Sequence, residues 1–196
     1  MILSQLCPTF PYKAFQNRWT ATDSFLSLIA DVCFENKPQT IIEAGSGIST
    51  VLCAACLREI GCGKVISLEH DEQYAKRTAN WIASNHLNDW ADVYVTPLRH
   101  YDINGNGYLW YDFEAATHRV DVVDMFVVDG PPGRIHRLIR YPCLPLFADK
   151  ITTKTIVIMD DAQRSDEQEI IRRWNNEFQL TIYTNNRDNH VSNKIQ

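Results

Sequence analysis

The sequence predicts an α/β protein: a doubly wound, mostly parallel sheet with helices on both faces and an antiparallel terminal strand. Three observations predict it. Short β-branched runs alternate with segments of helical period from residue 22 onward. The first such run ends in a glycine turn that opens a helix. The last two runs flank a polar segment in the manner of a hairpin. With 196 residues, 45% of them hydrophobic and 22% charged, the chain has the size and balance of one globular domain with a full core.

Residues 1–20 are aromatic-rich, carry two prolines and show no period, so they are expected to form an arm or lid ahead of a single domain over 21–196. From Thr22, the residues Phe25, Leu26, Leu28, Ile29, Val32 and Cys33 recur at helical spacing until Lys37-Pro38 stops them. Thr40–Ala44 is a β-branched strand ended by Gly45-Ser46-Gly47, and Thr50–Ile60 is an apolar helix closed by Gly61-Cys62-Gly63. Lys64–Glu69 reads as the second strand, residues 71–85 as a helix, and Asp92–Thr96 as the third strand. A turn-rich tip, Asp102–Gly107, interrupts the long connection 99–120, which has the length of a lid or specificity loop. Met125–Asp129 is the fourth strand, with a helix expected from about Arg134. Thr155–Asp160 is the fifth strand, and residues 166–177 are helical. Phe178–Thr184 and Val191–Ile195 then flank Asn185–Asn189 as a closing hairpin.

No apolar run approaches the roughly 18 residues of a membrane span. The first residues lack a basic and apolar leader, so the expectation is a cytoplasmic protein with no membrane partner. Six cysteines do not make a disulfide scaffold at this length, and Cys53 and Cys56 sit inside an apolar helix as core residues. A net charge of −5 argues against wholesale binding of nucleic acid.

Glycines where a first strand turns into a first helix let the backbone approach a ligand closely. Glu69 ends the next strand, 22 residues after Gly47, about where this architecture places a carboxylate for a ribose diol. Thr50 replaces the third glycine of the dinucleotide fingerprint, and Glu43 sets an anion beside the turn. The loop therefore suits a nucleoside carrying positive charge better than a dinucleotide.

Glu43-x-Gly45-x-Gly47, the strand-end Glu69 and Asp129 resemble the class I S-adenosylmethionine-dependent methyltransferases. The resemblance runs from about Thr40 to the C-terminus and implies a Rossmann-like, seven-stranded sheet. It also implies that Gly45, Ser46 and Gly47 line the methionine part of S-adenosylmethionine and that Glu43 holds its amino group. Glu69 would take the ribose hydroxyls, and His70, Thr96, Pro97 and Leu98 would lie by the adenine. Asp129 would border the same cofactor.

Asp129 ends strand four, and Asp160-Asp161 end strand five. Neighbouring strand ends lie about 5 Å apart, and carboxylates so close repel unless a metal ion or an arginine lies between them. The pattern resembles the metal-dependent catechol-type O-methyltransferases, which implies a divalent cation (Mg²⁺ or Mn²⁺) on Asp129, Asp160 and Asp161. Their lysine three residues after the first acid is replaced here by Pro132, which weakens a phenolic acceptor. Asp129-Gly-Pro-Pro-Gly133 and Trp110-Tyr111-Asp112 are also similar to families that methylate sugar hydroxyls. Asp129, Asp160 and Asp161 are the expected catalytic acids, with His136 a reserve base. Arg134, Arg137 and Arg140 recur on one face of the helix expected there, and Arg134 is the candidate for an anionic acceptor, with His100 and Tyr111 in the lid. The reading is an O-methyltransferase acting on a small polar hydroxyl acceptor. The alternative is a non-catalytic nucleoside-binding domain that regulates a partner.

Overall fold

The computed structural model describes residues 2–8, 21–186 and 189–195. Its elements in chain order are α1 (Ile2–Leu6), α2 (Asp23–Asn36), β1 (Thr40–Ala44), α3 (Ile48–Ile60), β2 (Lys64–Glu69), α4 (Glu72–Ser84) and β3 (Ala91–Val95). There follow β4 (Leu98–Ile103), β5 (Asn106–Tyr111), α5 (Glu114–Thr117), β6 (Met125–Val128), β7 (Ile156–Met159), α6 (Ser165–Glu177), β8 (Thr181–Asn186) and β9 (Asn189–Ile195). Seven strands form one sheet in the order β3-β2-β1-β6-β7-β8-β9, parallel throughout except for β9, which pairs antiparallel with β8 at the edge.

Strand residues alternate between two cores. Ile41, Val65, Met125, Val127 and Ile158 pack against α2 and α3, while Ile42, Leu68, Phe126, Val128 and Met159 pack against α6 and the segment between β6 and β7. Burial on both faces explains why the central strands are continuous apolar runs. Helix ends follow local chemistry. The Thr22 hydroxyl caps α2, the Asp71 carboxylate accepts from the Gln73 and Tyr74 amides to start α4, and Gly61 ends α3 at φ 84°.

Two expectations are corrected. Residues 134–140 form no helix, so Arg134, Arg137 and Arg140 share no helical face; turns lead instead into 3-10 segments at Tyr141–Cys143 and Pro145–Lys150. Only eight residues separate Gly133 from Pro142, too few for a stable helix before the next breaker. The connection after β3 is not a loop but the β4–β5 hairpin, a two-stranded antiparallel sheet. Its tip is the expected turn, with Asn104 and Gly105 at positive φ and the Asp102 carboxylate accepting from the Gly105 amide at 2.9 Å.

Of the expected N-terminal arm, residues 9–20 lie outside the described residues. Leu3 and Cys7 are buried in the core, and Arg58 of α3 donates to the Leu6 carbonyl at 2.7 Å. Five cysteines are buried and Cys62 is partly so, all as free thiols. No helix among the described residues is long and apolar enough to cross a membrane.

Candidate active site

The sheet order places β1 beside β6, with the chain leaving β1 toward one edge and β6 toward the other. Ligands bind at the carboxyl ends of strands at such a switch point. A cleft of about 560 Å³ opens there.

One wall is built by β1 and β2. Gly45 turns the chain off β1 at φ 106°, a conformation that suits glycine, and its amide donates to the Leu68 carbonyl at 2.9 Å. Behind it, Glu43 is buried, with Ser49 and Thr50 hydroxyls donating to its two carboxylate oxygens at 2.5 Å each. Burial lifts the Glu43 carboxyl to about 7, the two hydroxyls restrain that rise, and the Asp129 charge adds to it. Glu69, also buried, accepts from the Ser46 hydroxyl and the Asp71 amide, both at 3.0 Å. His70 Nδ1 lies 3.0 Å from the same carboxylate. Glu43, Gly45, Ser46, Glu69 and His70 therefore share one surface of the cleft.

The opposite wall belongs to β6 and β7. Asp129 follows β6, and Asp161 follows β7 with a left-handed backbone at φ 58°, which Asp tolerates better than most residues. Carboxylate oxygens of Asp129, Asp160 and Asp161 come within 4.8 Å of one another. Arg140, 2% exposed, reaches between them: its Nη2 lies 3.6 Å from both Asp129 Oδ1 and Asp161 Oδ2, and its Nη1 lies 3.5 Å from Glu167 Oε1. Arg164 pairs with Asp161 at 2.7 Å. Burial raises the Glu167 carboxyl, and Arg140 pulls it back.

Tyr111 and Gly130 join the walls. The Tyr111 hydroxyl occupies the space a side chain at Gly130 would need, 2.5 Å from an ideal Cβ. Burial, with the Glu69 charge next, pushes the Tyr111 phenol well up, so it stays protonated.

Several expected residues stand elsewhere. Asp160 is fully buried and does not line the cleft; its Oδ1 accepts from Asn185 at 2.7 Å, and Asn185 in turn bonds Thr22 and Ser24 at the start of α2. Gly47 is spent on starting α3, its amide donating to the Thr50 hydroxyl at 2.9 Å. Thr96 is buried with its amide on the Glu69 carbonyl at 2.7 Å, and Pro97 accepts from the Asp112 amide at 2.9 Å, so Thr96-Pro97-Leu98 tie the hairpin to β2 rather than line the cleft. His100 is exposed on β4, and the His136 ring bonds the Arg137 carbonyl at 2.7 Å; neither reaches the cleft. Arg134 lies at its exposed rim.

Sequence reasoning missed Arg140, Arg164, Ser49 and Glu167. Arg140 carried a signal: it interrupts the apolar run Leu138-Ile139 and Tyr141, where a charge is retained only if it is paired.

Residues 42–162, more than half of the chain, match a family model described as a methyltransferase domain. No curated protein matches the sequence. Among solved structures, the O-methyltransferase from Bacillus cereus in complex with SAH aligns with a TM-score of 0.61 at 15% identity, over 89% of this chain and 77% of that one. TomG, an O-methyltransferase of Streptomyces achromogenes involved in tomaymycin synthesis and solved with SAM, gives 0.58 at 13% identity over 89% and 76%. The Bacillus subtilis tRNA methyltransferase TrmK gives 0.50 at 16% identity over 82% and 57%. At these identities the likeness is one of fold, and the fold serves acceptors as different as these.

Proposed function

The chain belongs to the methyltransferase-domain family of class I S-adenosylmethionine-dependent methyltransferases, and on that premise we propose that it methylates the hydroxyl oxygen of a small polar acceptor, a sugar being one such molecule. The observation that carries this reading is the position of Asp129. Its side chain is 26% exposed and faces the same cleft as Gly45, Ser46 and Glu69. A hydroxyl is a weak nucleophile until its proton has an acceptor, and Asp129 is the strand-end carboxylate open to supply one.

The β1–β2 wall fits the cofactor. Glu69 is already oriented by Ser46 and Asp71, as a carboxylate gripping a diol must be. Bare backbone at Gly45 permits close approach, and the cleft has the volume of a small-ligand site. Glu69 on that wall and Asp129 facing it across the cleft place acidic side chains around a cationic ligand. When bound, S-adenosylmethionine supplies an electrophilic methyl group with its own leaving group. The protein's share is to align the acceptor, exclude water and take a proton at an Asp129 carboxylate oxygen. Arg134 at the rim is placed to hold an anionic group of the acceptor. Family membership favours this enzyme over a non-catalytic nucleoside-binding domain.

The test is methyl transfer from isotopically labelled S-adenosylmethionine to a panel of hydroxyl, amine and thiol acceptors. The expected product is a methyl ether, with turnover in Asp129→Asn reduced by about 10²–10⁴-fold. Methylation confined to nitrogen or sulfur, or full turnover in Asp129→Asn, contradicts the reading.

A further inference from the structure

The geometry points to Arg140 as the fixed cation of the acceptor wall: it holds Asp129 against Asp161 in the place a divalent metal ion would take, and methyl transfer needs no metal. The inference rests on the reading of Asp129 as the acceptor-facing base.

Oxygen surrounds the Arg140 guanidinium. Its Nη1 donates to the Asp160 carbonyl at 3.1 Å, its Nε to the Pro131 carbonyl at 3.4 Å, and its Nη2 to the Asp129 carbonyl. The carboxylates of Asp129, Asp161 and Glu167 complete the shell at 3.5–3.6 Å. A guanidinium is charged at any working pH and offers five donors in a planar fork, so one side chain restrains the backbone and the carboxylate of Asp129 together. A lysine ammonium could reach only part of that shell.

The same facts fit a metal poorly. A hard divalent cation seeks six or more oxygens, at least one or two of them carboxylate and free to turn toward the ion, with carbonyls and waters completing the shell. Of the three candidate acids, Asp160 turns an oxygen to Asn185, and Asp161 already carries Arg164 as well as Arg140. An ion among the remaining oxygens would stand against a buried, immovable positive charge. The metal expected from the strand-end pattern is therefore answered by an arginine 11 residues after Asp129.

Arg140 acts through Asp129 and is thus a positioning residue. The first test uses the wild-type protein, stripped with EDTA and titrated with Mn²⁺ while the free-ion electron paramagnetic resonance signal and the unfolding temperature are followed. A native site filled at about a hundred times its dissociation constant would raise Tm by about 5–10 °C. The expected result is an undiminished free-ion signal and an unchanged Tm. Uptake of one Mn²⁺ with a rise in Tm, both lost in Asp161→Asn, overturns the inference. This titration reads the same whatever the acceptor proves to be, so its failure is distinct from failure of the methyl-transfer reading. The second test compares folded Arg140→Met and Arg140→Lys. Turnover should fall about 100-fold in the first and recover in part in the second, with S-adenosylhomocysteine affinity in both within about threefold of wild type. Wild-type turnover in Arg140→Met overturns the positioning role, and if either variant fails to fold the Mn²⁺ titration still decides.

Discussion

On the β1–β2 side of the cleft, buried carboxylates are held by neutral donors: Ser49 and Thr50 on Glu43, Ser46 and the Asp71 amide on Glu69. On the β6–β7 side they are held by full charges, Arg140 and Arg164 against Asp129, Asp161 and Glu167. Hydroxyls and amides orient a carboxyl group without setting a fixed positive charge beside it, so among the described residues the first wall holds no arginine or lysine against a cationic ligand. Guanidiniums cancel the charge, so the second wall can crowd acids at two strand ends without a bound ion. The two walls thus solve the same problem, a carboxylate out of water, toward different ends.

Breaking the charged wall should have the largest effect. Arg140→Met leaves buried acids without their cation and is expected to cost about 3–5 kcal/mol, read by urea unfolding. A loss below about 1 kcal/mol would mean that these acids are compensated without Arg140.

The neutral wall should show itself through pH. Glu43 titrates near 7 in the folded protein and near 4.5 when free, so between these values the native state keeps a proton the unfolded chain has released. Its contribution to stability is full below about 4.5 and is lost as pH rises through 7, by roughly 3 kcal/mol in all. Glu43→Gln removes that slope, so the variant should gain stability relative to wild type from pH 5 to pH 7.5. A difference between the two proteins that does not change with pH would show Glu43 ionised throughout.

The seam between the walls should respond less. In Gly130→Ala the new methyl meets the Tyr111 hydroxyl at 2.5 Å and the Ala44 carbonyl and Gly45 Cα at 3.1 Å. The expected loss is about 1–3 kcal/mol. Adding Tyr111→Phe should restore only part of it, because the β1 backbone must still move. Full restoration would locate the clash in the hydroxyl alone.

What was legible in the sequence follows the same division. Strands such as Ile156–Met159 announce themselves because burial on both faces demands unbroken apolar runs. Gly45, Glu69 and Asp129 sit at strand ends, so their place in the cleft followed once the strands were assigned. The hairpin Leu98–Tyr111 was hidden because β4 is half-exposed and carries Arg99, His100 and Asp102, which read as loop. Residues 134–140 misled because their arginines recur every third residue, a true period in a stretch too short and too proline-bound to be a helix. Asp160 was legible only in part: its carboxylate lies within 4.8 Å of those of Asp129 and Asp161, as adjacent strand-end acids suggest, but its Oδ1 accepts from Asn185 while the turn at Asp161 directs that residue to the arginines.

The central claim, that the neutral wall holds the methyl donor and the charged wall serves the acceptor, is tested most directly by calorimetric titration of S-adenosylhomocysteine into wild type, Glu69→Ala and Asp129→Asn. Removing the Glu69 carboxylate should weaken binding by about 1–3 kcal/mol, about 10- to 100-fold, while Asp129→Asn stays within about threefold of wild type. Equal losses in the two variants, or unchanged affinity in folded Glu69→Ala, would contradict it.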